Sequence, residues 1–301
     1  MNRARDHFLK RAVSVLLFTL SVPALAQDSG PVRPTVTIPK VTQEPTLEDF
    51  LDMQPSPEME GQLLKLTDFR QRLPRDGEPV SQHTEAYLGY DDAHFYAVFL
   101  NFDEEPEQIR ARMTPRENFR GDDKVDLFLD TFHDERRAYV FTCNALGVQM
   151  DGRWIESNTG GNFDSSFNAL WHSRGQITDR GYVVWMKIPF KSLRFPAVAE
   201  QEWGIVLVRW IPRNNESSFW PRATSRIEGR LNQGATLRGI RDIAPGRSTQ
   251  IIPYAFARSF RALDTRDPQQ ATFVEKSAEP DIGLDAKFVI ANRFALDATV
   301  I

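Results

Sequence analysis

The chain reads as an all-β protein, a β-sandwich followed by the first strands of an outer-membrane β-barrel. Three observations predict this. Short apolar-alternating runs recur between turn residues, mostly without helical patterns between them. Phenylalanine is abundant, 21 of 301 residues, with few Leu-rich helical patterns around it, and aromatic side chains pack well on a pleated surface. Near the end, segments of about ten residues alternate between apolar and polar, as lipid-spanning barrel strands do.

The elements follow in chain order. "MNRARDHFLKR" carries Arg3, Arg5, Lys10 and Arg11, the apolar run Ala12–Leu20 follows, and "PALA" ends at Ala26. A basic region, a short apolar core and a small-x-small site make a secretory signal peptide over residues 1–26, so the mature protein is expected to be exported. The apolar run is too short to span a bilayer comfortably. Residues 27–44, rich in Pro, Thr and Val, read as an extended lead-in. The sandwich is expected over residues 45–247, with strand runs at 83–90, 95–102, 124–132, 137–144, 181–190 and 203–211. "DDAH" joins the first two as a hairpin loop, and "EPEQIRARM" (105–113) reads as one short helix.

In "GIVLVRWI", Ile205, Leu207, Arg209 and Ile211 share one face while Val206, Val208 and Trp210 share the other. A central strand reads this way when its second face is also covered, or when it lines a ligand groove. Residues 248–301 are the expected barrel start: Ile282, Leu284, Ala286, Phe288 and Ile290 line one face, and "ANR" turns into the next strand. Two or three strands cannot close a barrel in lipid, so the chain is expected to be a truncated product or fragment.

Composition narrows the function. A formal net charge of -4 with no basic run argues against nucleic acid as a partner. The single cysteine, Cys143, alternates with Tyr139 and Phe141 and reads as a buried core residue. The five histidines form no metalloprotease pair, and no nucleophile elbow, phosphate loop or dinucleotide fingerprint is present. Asp126 and Asp130 face the same side of one strand, too far apart for a retaining glycosidase pair. Calcium can be held by scattered loop oxygens, for which Asp122 and Asp123 are the candidate ligands.

The six tryptophans divide. Trp185 and Trp210 alternate with valines and read as core packing, and Trp203 reads as a strand-edge residue. Trp154 and Trp171 flank a Gly-, Ser- and Asn-rich loop, and Trp220 sits near Arg213, Asn215 and Glu216. Exposed indoles beside such groups stack on the apolar face of a sugar ring and hydrogen-bond its hydroxyls. The expected site is therefore Trp154, Trp171 and Trp220 as platforms, with Arg213, Asn215 and Glu216 anchoring hydroxyls.

The stretch from "DGEPVSQHTEAYLGYDDAHFYAVFLNF" through "DDKVDLFLDTF", then "GYVVWMKIPFKSLRF", "WGIVLVRWIPRNNE" and "FWP" resembles the exported family 9 carbohydrate-binding-like domain that precedes a large outer-membrane β-barrel region. The resemblance covers roughly residues 45–301. It implies a jelly-roll-type sandwich associated with sugar binding, whose xylanase relatives hold chain ends between two aromatic rings and carry calcium. The usual Pro-x-Ile-Asp-Gly entry is replaced here by "PTLEDFLDMQPSPEMEGQLLKLTDFRQ". The expected function is non-catalytic binding of a polysaccharide or oligosaccharide, linked to polysaccharide breakdown or uptake at the cell envelope. The alternatives are an accessory or plug domain of an outer-membrane barrel without sugar specificity, and, more remotely, a glycoside hydrolase.

Overall fold

The alternating runs fold into strands because each can bury one face and pair both edges. The computed structural model describes residues 33–157, 161–244, 249–264, 272–290 and 294–300, so the signal-peptide segment lies outside the described residues. In chain order the strands are β1 (Thr35–Thr37), β2 (Leu64–Leu66), β3 (Arg70–Leu73), β4 (Thr84–Tyr90), β5 (His94–Phe102), β6 (Lys124–Asp130), β7 (Arg137–Asn144), β8 (Gln149–Ile155) and β9 (Asn162–Asp164). They continue as β10 (His172–Thr178), β11 (Gly181–Pro189), β12 (Glu200–Ile211), β13 (Glu216–Trp220), β14 (Ala235–Arg241), β15 (Thr249–Asp264), β16 (Thr272–Ile290) and β17 (Phe294–Val300). All six runs expected in the sandwich are strands, and the DDAH hairpin forms, with Asp91 accepting the N–H groups of Ala93 and His94 at 2.7 Å.

The helix expected over 105–113 is reduced to one 3-10 turn, Pro106–Gln108. Its continuation is diverted: the N–H of Arg110 donates to Asp123 and that of Arg112 to Asp122, so these amides do not build helical turns.

Two sheets make the sandwich. One runs β1-β14-β12-β6-β7-β8-β9, with β13 beside β12 and β3 beside β13; the other runs β10-β11-β5-β4-β2. Along one edge of the twelve-residue β12, the partner changes from β14 to β13. The lead-in is more than a linker, because β1 pairs parallel to β14 and Ile38 enters the core. Between the sheets, Phe95, Phe99, Tyr182 and Val184 meet Leu127, Phe141, Ile205 and Leu207. Each such side chain contributes about 1.5–3 kcal/mol by leaving water.

Trp203, expected at a strand edge, is fully buried, ringed by Phe95, Phe190 and Phe195 at centroid distances of 5.5–6.4 Å. The register of β12 against β6 and β14 places it in the middle of the sheet, which local sequence cannot report.

Both sheets are also covered on their outer faces. Over the five-stranded sheet, Leu47, Phe50, Met53 and Met59 pack on Tyr96, Val98, Val183 and Trp185, and the Trp185 indole donates to the Pro45 carbonyl at 2.7 Å. Over the nine-stranded sheet, Ala223 and Leu231 pack on Phe128, Val140, Val206 and Val208. The two-faced apolar pattern of β12 is thus explained by a second covering layer.

β15, β16 and β17 form a separate three-stranded antiparallel sheet with strands of 16, 19 and 7 residues. Gly283 lies opposite Tyr254, and a Cβ there would sit 2.2 Å from the tyrosine ring, so the aromatic covers the glycine.

Candidate functional site

Pleating sends successive side chains of β12 to opposite faces, Ile205, Leu207 and Arg209 inward, Val206, Val208 and Trp210 outward. On the inward side Arg209 is held by several acceptors, with its Nε left without a partner. The Arg209 guanidinium, with no exposure, donates to the carbonyls of His83 at 2.8 Å and Phe102 at 2.9 Å and to the Thr84 hydroxyl at 3.0 Å. Asp103 lies 3.7 Å away and is itself held by Arg213, whose Nη2 reaches both carboxylate oxygens at 2.7 and 2.8 Å.

This arrangement corrects most of the site expected from sequence. Trp171 is 3% exposed, edge-on to Phe141 at 5.1 Å, with its indole directed at Asp151. Trp220 lies opposite Leu207 in the main core, because β13 is sandwiched between β12 and β3. Neither offers a ring face to solvent. Arg213 is engaged by Asp103, and Glu216 is buried and accepts the Ser81 N–H at 3.1 Å, so both fasten the corner between β12 and β13. Asn215 is exposed, in the left-handed conformation that closes the turn Pro212–Asn214.

The calcium expectation does not fit either carboxylate. Asp122 accepts from Arg112 Nε, the Arg112 N–H and Asn144 Nδ2. Asp123 accepts the Arg110 N–H and has one unpartnered oxygen, where burial pushes its pKa up. Calcium takes six to eight oxygens, and among the described residues no group of three or more His, Cys, Asp or Glu side chains could hold a metal.

Of the three expected platforms, only Trp154 keeps solvent contact, and it stands on the outer face of the nine-stranded sheet. Its ring is edge-on to Phe128 at 6.0 Å and carries the Arg230 guanidinium at 4.3 Å. Arg230 also contacts the Phe219 ring at 5.8 Å, and Arg72 contacts that same ring at 5.6 Å. On the same face the half-buried Trp210 donates its indole N–H to Asp126 at 2.7 Å, while Thr142 donates to the other Asp126 oxygen at 2.8 Å. Lys124 lies 5.4 Å from the Trp210 ring centre.

Three enclosed donors in this region have no partner: Arg72 Nε, Trp154 Nε1 and Ser217 Oγ. Buried polar groups are ordinarily paired, and other unpaired donors lie on the inward side, at Arg209 Nε, Tyr182 Oη and Arg213 Nη1. Burial, and then repulsion from Arg72, pulls the pKa of Arg230 down, with Asp126 and Glu156 partly offsetting it. The face can therefore present aromatic area and hydrogen-bond donors together.

Sequence reasoning missed Trp210, Arg72 and Arg230. The signal for Trp210 was its alternation with Val206 and Val208, which says only that the three share a face. The arginines lie in a short strand and in the covering segment, where no periodicity marks them. The one trace is compositional: "RATSRIEGR" puts three arginines into residues 222–230.

The sequence matches no protein-family model and no curated protein. Among solved structures, the chain is similar to a protein described as "a putative carbohydrate-binding protein" from Bacteroides uniformis ATCC 8492, at 13% identity and a TM-score of 0.51, over 69% of this chain and 99% of that one. It also aligns with a family 9 carbohydrate-binding module from Caldicellulosiruptor kristjanssonii. In complex with glucose the identity is 14% and the TM-score 0.41, over 67% of this chain and 95% of that one. In complex with cellotriose the values are 13% and 0.39, over 71% and 95%. At these identities the likeness is one of fold: the chain is an all-β sandwich of the kind found in the Bacteroides uniformis protein.

Proposed function

We propose that this chain is a non-catalytic saccharide-binding protein that holds its ligand on the outer face of the nine-stranded sheet. The observation that carries the reading is the half-exposed Trp154 and Trp210 sharing one face with the unpartnered donors of Arg72, Trp154 and Ser217. Aromatic area serves the C–H face of a sugar ring, and guanidinium and indole N–H groups serve its hydroxyls. The fold shared with the Bacteroides uniformis protein supports the same reading. A shallow face of this kind gives affinities on the order of micromolar to millimolar. Calorimetric titration of the purified chain with a panel of oligosaccharides tests it. Saturable heat that is lost in Trp210→Ala and Trp154→Ala is the expected result, and binding unchanged in both variants removes the site.

The three-stranded sheet supports export to the outer membrane as the start of a barrel. Ile282 and Leu284 are exposed, alternate along β16, and lie opposite the exposed Ala255 and Pro253; Leu263 and Phe273 form a further exposed pair. A sheet face of this composition suits lipid contact, and strands of 16 and 19 residues exceed the 9–11 needed to cross. Fractionation of the producing cell checks it: recovery in the soluble periplasm of the full gene product contradicts a membrane role.

A further inference from the structure

Arg72 and Arg230, like Lys124 beside Trp210, are cations of this face without a described carboxylate in ion-pairing distance, and the two arginines contact one ring, Phe219. Among the described residues no carboxylate lies within ion-pairing distance of either guanidinium, and their contacts are with the rings of Phe219 and Trp154. The neighbouring acids are engaged elsewhere. Both oxygens of Asp126 accept from Thr142 and Trp210, and Glu156 Oε1 accepts the N–H groups of Arg230 and Leu231, leaving only Glu156 Oε2 without a partner. Burial disfavours the charged form of Arg230, and repulsion from Arg72 on the same ring adds to that, with Asp126 and Glu156 opposing both.

The contrast with Arg209 shows that the fold can neutralise a buried arginine when it uses one structurally. Here it does not. A planar guanidinium matches a carboxylate bidentately, and a pair of them favours an anionic group over a hydroxyl. The unpartnered Trp154 Nε1 and the 1%-exposed Ser217 add further donors to the same region.

We infer that Arg72 and Arg230 select an acidic saccharide, one carrying a uronic-acid carboxylate. This rests on the saccharide-binding reading of the same face. The carboxylate pairs with this guanidinium cluster, and the ring lies over the aromatic surface beside it. Neutral glycans lack the one group that relieves the repulsion between the arginines.

The test titrates the purified chain with oligogalacturonate and oligoglucuronate, each beside its neutral methyl ester, and with inorganic phosphate. The expected result is that one of the acids binds about tenfold or more tightly than its own ester, and that added salt weakens this preference. Arg72→Gln and Arg230→Gln each remove the difference between acid and ester, whatever each costs in ester binding, since the guanidinium groups also serve hydroxyls. Unchanged thermal midpoints show that the variants fold, and Arg230→Lys, which keeps the charge without the fork, recovers only part of the preference. Acid and ester binding equally, or arginine variants with no effect on the difference, overturn the inference and leave the saccharide reading standing. Phosphate binding as tightly as the acidic oligosaccharides overturns it in favour of a simple anion site. Binding of neutral glycans alone overturns it too, and binding of no saccharide removes both readings.

Discussion

The two faces of the nine-stranded sheet use the same residue types to opposite ends. Inward, Arg209 stands 5.5 Å from the Tyr182 ring, donates to carbonyls and a hydroxyl, and has Asp103 as its counter-charge. Outward, Arg230 lies on Trp154 and has rings in place of acceptors. Inward, Trp171, Trp203 and Trp220 are buried against phenylalanines and the core, whereas Trp154 and Trp210 stay half exposed outward. A charge beside an aromatic ring is therefore no sign of a site. What distinguishes the outer face is that, among the described residues, Arg72 and Arg230 have no carboxylate within ion-pairing distance, whereas Arg209 and Arg213 share Asp103.

Four measurements would break or sharpen that contrast, beginning with the largest effect. Truncating the inward arginine in Arg209→Ala leaves Asp103 and several carbonyls without their buried partner and should cost about 3–5 kcal/mol in chemical denaturation. Arg230→Ala should cost less than about 1 kcal/mol, since only ring contacts are lost. Equal losses would erase the distinction between the faces.

The tryptophans give the second test. Trp171→Ala should destabilise by about 3–5 kcal/mol through a core cavity, and Trp210→Ala by about 1–2 kcal/mol, through partial packing and its hydrogen bond to Asp126. A Trp171→Ala protein as stable as the parent would mean that Trp171 is not a core residue.

A pH-dependent difference comes next. Burial raises the Asp123 pKa above its unfolded value, with the Arg110 N–H, Arg209 and Arg213 acting against it. The folded state then holds this proton more tightly than the unfolded chain does. Its contribution is fully present below the unfolded carboxylate pKa and is lost as pH rises through the folded one. Asp123→Asn should flatten the fall in stability on the neutral side of that range while keeping an acceptor for the Arg110 N–H. A slope identical to the parent's counts against a titrating Asp123.

The smallest effect concerns Cys143, fully buried, whose thiol is pushed up to about 12 by burial. Thiol reagents at pH 8 should leave it unmodified in the native protein and modify it completely in denaturant. Rapid native modification would show that the layer around it opens.

The legibility of the sequence followed the physics of each element. β4–β7, β11 and β12 were visible because their apolar alternation is long and strong. The edge strands β9 and β10 and the inner strands β8 and β13 were hidden in polar, weakly alternating sequence, and with them the placement of Trp154, Trp171 and Trp220. Polar neighbours made these tryptophans look exposed. Yet Trp171 and Trp220 are covered by residues far along the chain, and their polar neighbours are engaged by the protein, as Arg213 is by Asp103 and Glu216 by Ser81.

The amino-acid order by itself determined the all-β class, the strand faces, the burial of Cys143 and the two-faced character of β12, since side-chain period and apolarity are local properties. Only the tertiary structure decided which aromatic faces stay open and which arginines go unneutralised. Those outcomes depend on the segments 41–63 and 221–234 closing over sheets built from distant strands, and a residue's local sequence carries no record of what the rest of the chain lays on top of it.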